Sequence, residues 1–158
     1  MRGPTAATAH SRTAAGQLLN LVGVYDEFYG LSQLTLEGGD AVESVGSGDA
    51  PAPAVVADPC SVATGGADAE PWEGVLVQVA DVTVTSAVDE FGTFVVDGCL
   101  KVDRLFFSLD AGDCAGTDET PSPAVDQAIA GITGVLTFTY DEVKLEPRSA
   151  GDYSGWTP

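Results

Sequence analysis

The stretch Glu73-Gly-Val-Leu-Val-Gln-Val-Ala-Asp-Val-Thr-Val-Thr85 decides how this chain is read. Its β-branched residues recur at nearly every second position, the period that turns side chains to one face of a strand. It is longer than a typical strand of about 5–6 residues, so it has to bend, and Gly74 is the expected place. A turn at Asp89-Glu90 leads into a second strand, Phe91-Gly-Thr-Phe-Val-Val96. Asp97-Gly98 then signals a hairpin, because both residues tolerate positive φ. Cys99-Leu-Lys-Val-Asp-Arg-Leu-Phe-Phe107 pairs back as the third strand.

Downstream, residues 110–123 read as an acidic loop, and Ala124-Val-Asp-Gln-Ala-Ile-Ala130 is the one candidate helix, about two turns long. Ile132-Thr-Gly-Val-Leu-Thr-Phe-Thr139 predicts a fourth strand, Tyr140-Asp-Glu142 a turn, and Val143-Lys-Leu-Glu-Pro-Arg148 a fifth. Pro147 restricts that last strand to an edge or an end. Three strands, a short helix and two strands is the order of an OB-fold, a five-stranded, partly open barrel. The expected class is all-β, with an OB-like barrel over about residues 73–150 and one short helix.

Upstream the pattern is thinner. Residues 1–15 have little to bury and read as a disordered tail. Residues 16–37 predict a β-hairpin. Leu19, Leu21, Val22 and Val24 form one strand, Tyr25-Asp-Glu-Phe-Tyr-Gly30 the turn, and Leu31-Ser-Gln-Leu-Thr-Leu36 the return. Residues 38–72 form a glycine- and proline-punctuated connector, with short strands expected around 41–45 and 55–56. The barrel unit extends to 152, and 153–158 is a tail. Setting Gly23 over Gly134 brings Val24 onto Val135, Tyr29 onto Tyr140 and Leu34 onto Leu145 without gaps. The hairpin therefore reads as the last two strands of an incomplete second OB-like unit. An isolated hairpin is marginal in water, so it must pack on something or recruit a strand at its edge, unless the connector wraps it.

Charge narrows the partners. The 158 residues carry 24 Asp and Glu against 6 Lys and Arg, a formal net charge of −18. Such a surface repels phosphate backbones and favours cations and basic partners. No stretch approaches the roughly 20 apolar residues of a membrane span. The first ten residues lack the apolar core of a signal peptide, so either the protein is cytosolic or its export signal is expected outside this chain.

Little here points to catalysis. The single histidine, His10, lies in the tail, which excludes a Ser-His-Asp triad and a histidine metal cluster. The glycines mark turns and match neither a phosphate loop nor a dinucleotide fingerprint. Asp110, Asp113 and Asp118 are candidate calcium ligands in the acidic loop, although their spacing does not match an EF-hand and a solvated loop is the plainer reading. Lys101, Arg104, Lys144 and Arg148 would form the one basic patch if the third and fifth strands adjoin, with surface ion pairs to nearby acids as the plainer reading. Phe91 and Phe94 lie where an OB face would stack ligands, with barrel core as the alternative role. Trp72 and Trp156 are expected to cover the barrel ends. Three cysteines permit one bridge; Cys99–Cys114 stands ahead of Cys60–Cys99, against an alternative of three buried thiols.

Residues 22–34, 73–79, 102–107, 132–136 and 144–149, quoted in part above, resemble tandem OB-like modules of secreted bacterial proteins. Those modules often accompany extracellular nuclease, phosphatase or lamin-tail-like domains. The resemblance covers about residues 16–152 and implies an extracellular or envelope location and an accessory binding role. The leading expectation is a non-catalytic interaction module acting through strand pairing or loop-rim contacts, with a protein or cell-surface partner and self-assembly through the hairpin edge. The alternatives are a single-stranded nucleic-acid-binding module accessory to a nuclease, which the charge disfavours, and a calcium-stabilised adhesion module.

Overall fold

The computed structural model describes residues 14, 16–36, 41–107 and 123–156. The chain is all-β, with no helix longer than a single 3₁₀ turn of four residues among the described residues. It divides into two compact units. One takes the chain to Glu27 together with Gln33–Ala52; the other takes Phe28–Ser32 and everything from Pro53.

In the first unit, β1 (Gln17–Leu21) pairs antiparallel with β4 (Val42–Ser47), from Gln17 opposite Ser47 to Leu21 opposite Val42. A bulge interrupts this ladder between Leu18 and Leu19. Strand β2 (Gly23–Phe28) pairs with β3 (Leu31–Leu36) as the expected hairpin. The hairpin runs further than alternation alone suggests, because the turn is only Tyr29-Gly30, both with positive φ (50° and 84°). That geometry matches the twist of a tight hairpin.

The second unit holds the core. Its strands are β5 (Ala54–Val56), β6 (Leu76–Thr83), β7 (Phe94–Val96), β8 (Leu100–Val102), β9 (Ala128–Thr139), β10 (Glu142–Glu146) and β11 (Tyr153–Ser154). They hydrogen-bond in the order β5-β6-β9-β10-β8-β7, with β11 added beside β9. Two neighbouring pairs are parallel, β5 with β6 and β8 with β10. Just past the end of β6, Val84 bridges Val96 of β7, Thr85 N donates to Val95 O (2.8 Å) and Asp97 N donates to Thr83 O (2.9 Å). The fully buried side chains include Val77, Val79, Val82, Val84, Val96, Leu100, Ile129, Ile132, Leu136 and Leu145.

Three expectations change here. The bend in β6 lies at Asp81, not at Gly74. Burial shifts phase from Val77 and Val79 to Val82 and Val84, and Asp81 sits between them with a φ of 54°. Gly74 precedes the strand. The helix expected at 124–130 is instead a turn running into β9: Asp126 has a φ of 68°, and Ala128, Ile129 and Ala130 alternate exposed, buried, exposed opposite β6. Sheet pairing overrides the helix-compatible composition of that segment. The third change is the disulfide, which joins Cys99 to Cys60 rather than Cys114. Cys60 stands on the 3₁₀ turn Pro59–Val62, whose Val62 is sunk in the core, and Asp58 caps that turn by accepting from Cys60 N (3.0 Å). This places the two Cα atoms 5.4 Å apart, inside the normal range for a bridge. Cys114 and the candidate calcium ligands Asp110, Asp113 and Asp118 lie outside the described residues.

Trp72 and Trp156 pack, partly buried, against the core, with the Trp156 ring 5.7 Å from that of Tyr153. Bridging cysteines 39 residues apart restricts the unfolded chain and stabilises the fold by about 3–4 kcal/mol on a chain-entropy estimate. A Cys60→Ser/Cys99→Ser variant is expected to lose stability of that order in urea denaturation. Peptide mapping without reduction should recover residue 60 joined to residue 99.

Candidate functional site

One face of the second unit concentrates polar and aromatic side chains. A cleft of about 540 Å³ is lined by Asp89, Phe91, Thr93, Lys101, Asp103, Tyr140, Glu142 and Lys144. Its size lies within the range of small-molecule pockets, roughly 300–1,000 Å³. These residues come from the loop between β6 and β7, the start of β7, the strand β8 and its end, the β9–β10 turn, and β10.

The floor follows from strand register. In the parallel pair, Lys144 of β10 lies beside Lys101 of β8, while the flanking Leu100, Val102 and Leu145 are buried in the core. Each lysine is matched to an acid. Lys101 Nζ donates to Glu142 Oε1 (2.5 Å) in a half-exposed pair. Lys144 Nζ donates to Asp103 Oδ2 (3.1 Å) in a largely buried one. Asp103 Oδ1 also accepts from Arg104 N (2.8 Å) and Thr93 Oγ1 (3.1 Å). Burial pushes the Asp103 carboxyl up, but the Arg104 amide and Lys144 outweigh it, so it stays below its ordinary value. Both floor cations are thus already committed to carboxylates.

The walls are aromatic and exposed. Asp89 Oδ1 accepts from Phe91 N and Thr93 N (2.9 Å each), an Asx-type turn that pushes the Phe91 ring outward, 68% exposed. Tyr140, at the tip of the β9–β10 turn, has a φ of 55° and is 93% exposed. Lys144 Nζ lies 5.6 Å from the Tyr140 ring centroid, within cation–π range.

The sequence-derived candidates therefore separate. Lys101, Lys144 and Phe91 converge. Phe94 does not, because its side chain is buried in the core between β7 and its neighbours. Arg104 does not line the cleft; its side chain lies over Gly92, where any Cβ would collide with it. Arg148 pairs with Asp152 through Nη2–Oδ1 (2.8 Å) and Nε–Oδ2 (3.1 Å), away from the cleft lining. Sequence reading missed Asp103, Glu142, Thr93 and Tyr140. The plainer reading, ion pairs with nearby acids, holds for Lys101, Lys144 and Arg148, but nothing in a linear pattern reveals which acid each one meets. Among the described residues, no group of three or more His, Cys, Asp or Glu is placed to hold a metal ion.

Glu146, the last residue of β10, is fully buried. Its carboxylate accepts from Leu105 N (2.9 Å) and Thr137 Oγ1 (3.2 Å). Burial raises its pKa, the Leu105 amide pulls it back, and the Asp103 charge raises it further; the net direction is up.

No family model matches this chain, and neither a curated protein nor a solved structure does.

The carboxyl groups give opposing pH effects. Asp103 and Asp152 are held below 3.8, Asp152 because its bonds to Arg148 outweigh its burial. They contribute stability above that value and lose it as pH falls through their folded-state values. Glu146 is raised above 4.5, so the folded state holds its proton more tightly and its contribution declines as pH rises from 4.5 through the folded value. In Glu146→Gln that decline is expected to vanish, so the variant gains on wild type as pH is raised from 4.5 to 7. Urea midpoints measured at intervals across that range check it. Glu146→Leu should instead lose about 1–3 kcal/mol at neutral pH, because Leu105 N is left without an acceptor.

Proposed function

We propose that the second unit is an OB-like barrel and a non-catalytic binding module, whose ligand sits in the cleft walled by Phe91 and Tyr140. The strand connectivity supports the OB reading. β6, β7, β8, β9 and β10 take the places of strands one to five, β8 and β10 are parallel as strands three and five are, and the Val84–Val96 bridge links the first strand to the second. In OB-folds, the face of strands two and three, with the loops joining one to two and four to five, binds oligonucleotides and oligosaccharides. The cleft occupies those positions in this chain.

Charge chooses between the two ligand classes. An oligonucleotide groove needs uncommitted cations along a backbone track. Here Lys101 and Lys144 are each neutralised by a bonded carboxylate, on a chain of net charge −18. Fixed donors and acceptors on the floor, between two exposed aromatic rings, suit an uncharged, polyhydroxylated ligand. The rings cover its apolar face, and the ion-paired side chains meet its hydroxyls. A neutral saccharide chain fits that description. The observation that carries the reading is the pairing of both floor lysines beneath exposed Phe91 and Tyr140.

An extracellular or envelope setting accords with this role, and the Cys60–Cys99 bridge supports it, since such bridges persist in oxidising compartments. No helix among the described residues is long and apolar enough to cross a membrane.

Calorimetric titration with cellohexaose and laminarihexaose tests the proposal, beside a single-stranded oligonucleotide. Saccharide affinity is expected to hold steady from low to high salt and to fall about tenfold, or about 1.4 kcal/mol, in Phe91→Ala and in Tyr140→Ala. Binding of the oligonucleotide alone, weakening steeply with salt, would overturn the saccharide assignment.

A further inference from the structure

A second cleft, also of about 540 Å³, meets the first at Tyr140, which lines both. It lies within the second unit, because the tip of the β2–β3 hairpin, Phe28–Ser32, belongs to that unit. Its lining comes from two segments. Phe28, Tyr29 and Leu31 come from the hairpin tip, and residues 138–141 from the end of β9 and its turn into β10.

The two segments are equivalent turns. At the offset that sets Gly23 over Gly134, Tyr29 falls on Tyr140, and both have positive φ (50° and 55°). Bulky side chains take that backbone conformation sparingly; glycine and asparagine take it at less cost. Tyr29 and Tyr140 are nevertheless 84% and 93% exposed, so burial does not account for a tyrosine at either tip. Both rings have a neighbour that positions them. The Phe28 ring meets Tyr29 edge to face, with centroids 4.7 Å apart, and Lys144 Nζ stands over Tyr140. The hairpin tip itself is anchored. Ser32 N donates to Glu73 Oε1 (2.9 Å), and Gly30 approaches Phe138 so closely that a Cβ would lie 2.6 Å from its Cε1. The second cleft is therefore preformed.

Charge selects its occupant. Among the described residues, no lysine or arginine lines this cleft, and Asp141 does. An anionic ligand finds no counter-charge there and is repelled by Asp141. The apolar surfaces of Phe28, Leu31 and Phe138, beside the hydroxyls of Tyr29, Thr139 and Tyr140, suit the same neutral, polyhydroxylated chemistry as the first cleft. We infer that the second cleft is an extension subsite: a saccharide chain seated between Phe91 and Tyr140 continues past Tyr140 and stacks on Tyr29. This rests on the saccharide reading of the first cleft and adds to it a requirement for chain length, since only a chain that spans Tyr140 meets all three rings.

The test is calorimetric titration of the full chain with cellotriose and cellohexaose, and with laminaritriose and laminarihexaose. Wild type is compared with Tyr29→Asn, Tyr29→Phe and Phe91→Ala. Asparagine suits the left-handed turn, so Tyr29→Asn removes the ring and keeps the hairpin. In one series, the hexasaccharide is expected to bind wild type about tenfold tighter than the trisaccharide. Tyr29→Asn should lose that tenfold and leave the trisaccharide affinity unchanged, Tyr29→Phe should keep it, and Phe91→Ala should weaken both lengths. Hexasaccharide binding that Phe91→Ala weakens and Tyr29→Asn leaves unchanged would overturn the extension alone, as would equal affinity for the two lengths. Absence of saccharide binding by wild type would overturn both readings. Self-association in light scattering that Tyr29→Asn abolishes would assign the Tyr29 ring to a second copy of the chain and overturn the extension.

Discussion

Three ladders of the second unit run through β9. Along one edge it binds β6 over nearly its whole length; along the other it binds β11 and then β10. At two positions along it, another group comes too close to β9 to leave room for a side chain. Gly134 meets that constraint, with no room for a Cβ against Glu146. Gly131 sits similarly close to Ser154 Oγ, which donates back to its carbonyl at 3.3 Å. The core valines of β6, the register of β10 and the position of the cleft all follow from this one strand.

The same strand explains why the cleft is polar but quiet. Bending β9 into β10 aims Tyr140 outward and sets Lys144 beside Lys101 on the parallel neighbour. Two adjacent cations over a core would be costly without acids, and Asp103 and Glu142 supply them. Glu146 adds a buried carboxyl whose acceptor bonds tie β10 to the chain leaving β8 and to β9. That arrangement stiffens this face of the unit and leaves neither Lys101 nor Lys144 uncommitted.

Much of this was legible in the chain. Alternation in residues 73–85 placed β6, Asp97-Gly98 placed the β7–β8 turn, and the Gly23–Gly134 alignment exposed the repeat. The all-β class followed from these short-range signals. Within the site, Phe91, Lys101 and Lys144 were readable, since exposed aromatics and scarce cations stand out in an acidic chain. Their acids were not, because acidic residues are everywhere in this sequence and only register selects two of them.

The sequence by itself determined local geometry: strand period, the residues able to take positive φ at turn tips, and the internal repeat. These depend on a residue and its near neighbours. Tertiary structure alone decided which cysteine Cys99 meets, that Phe94 is core while Phe91 is wall, that Arg148 turns to Asp152, and that residues 128–130 join a sheet rather than a helix. Each of those outcomes depends on a partner far along the chain, brought near by pairing energies that no local pattern records.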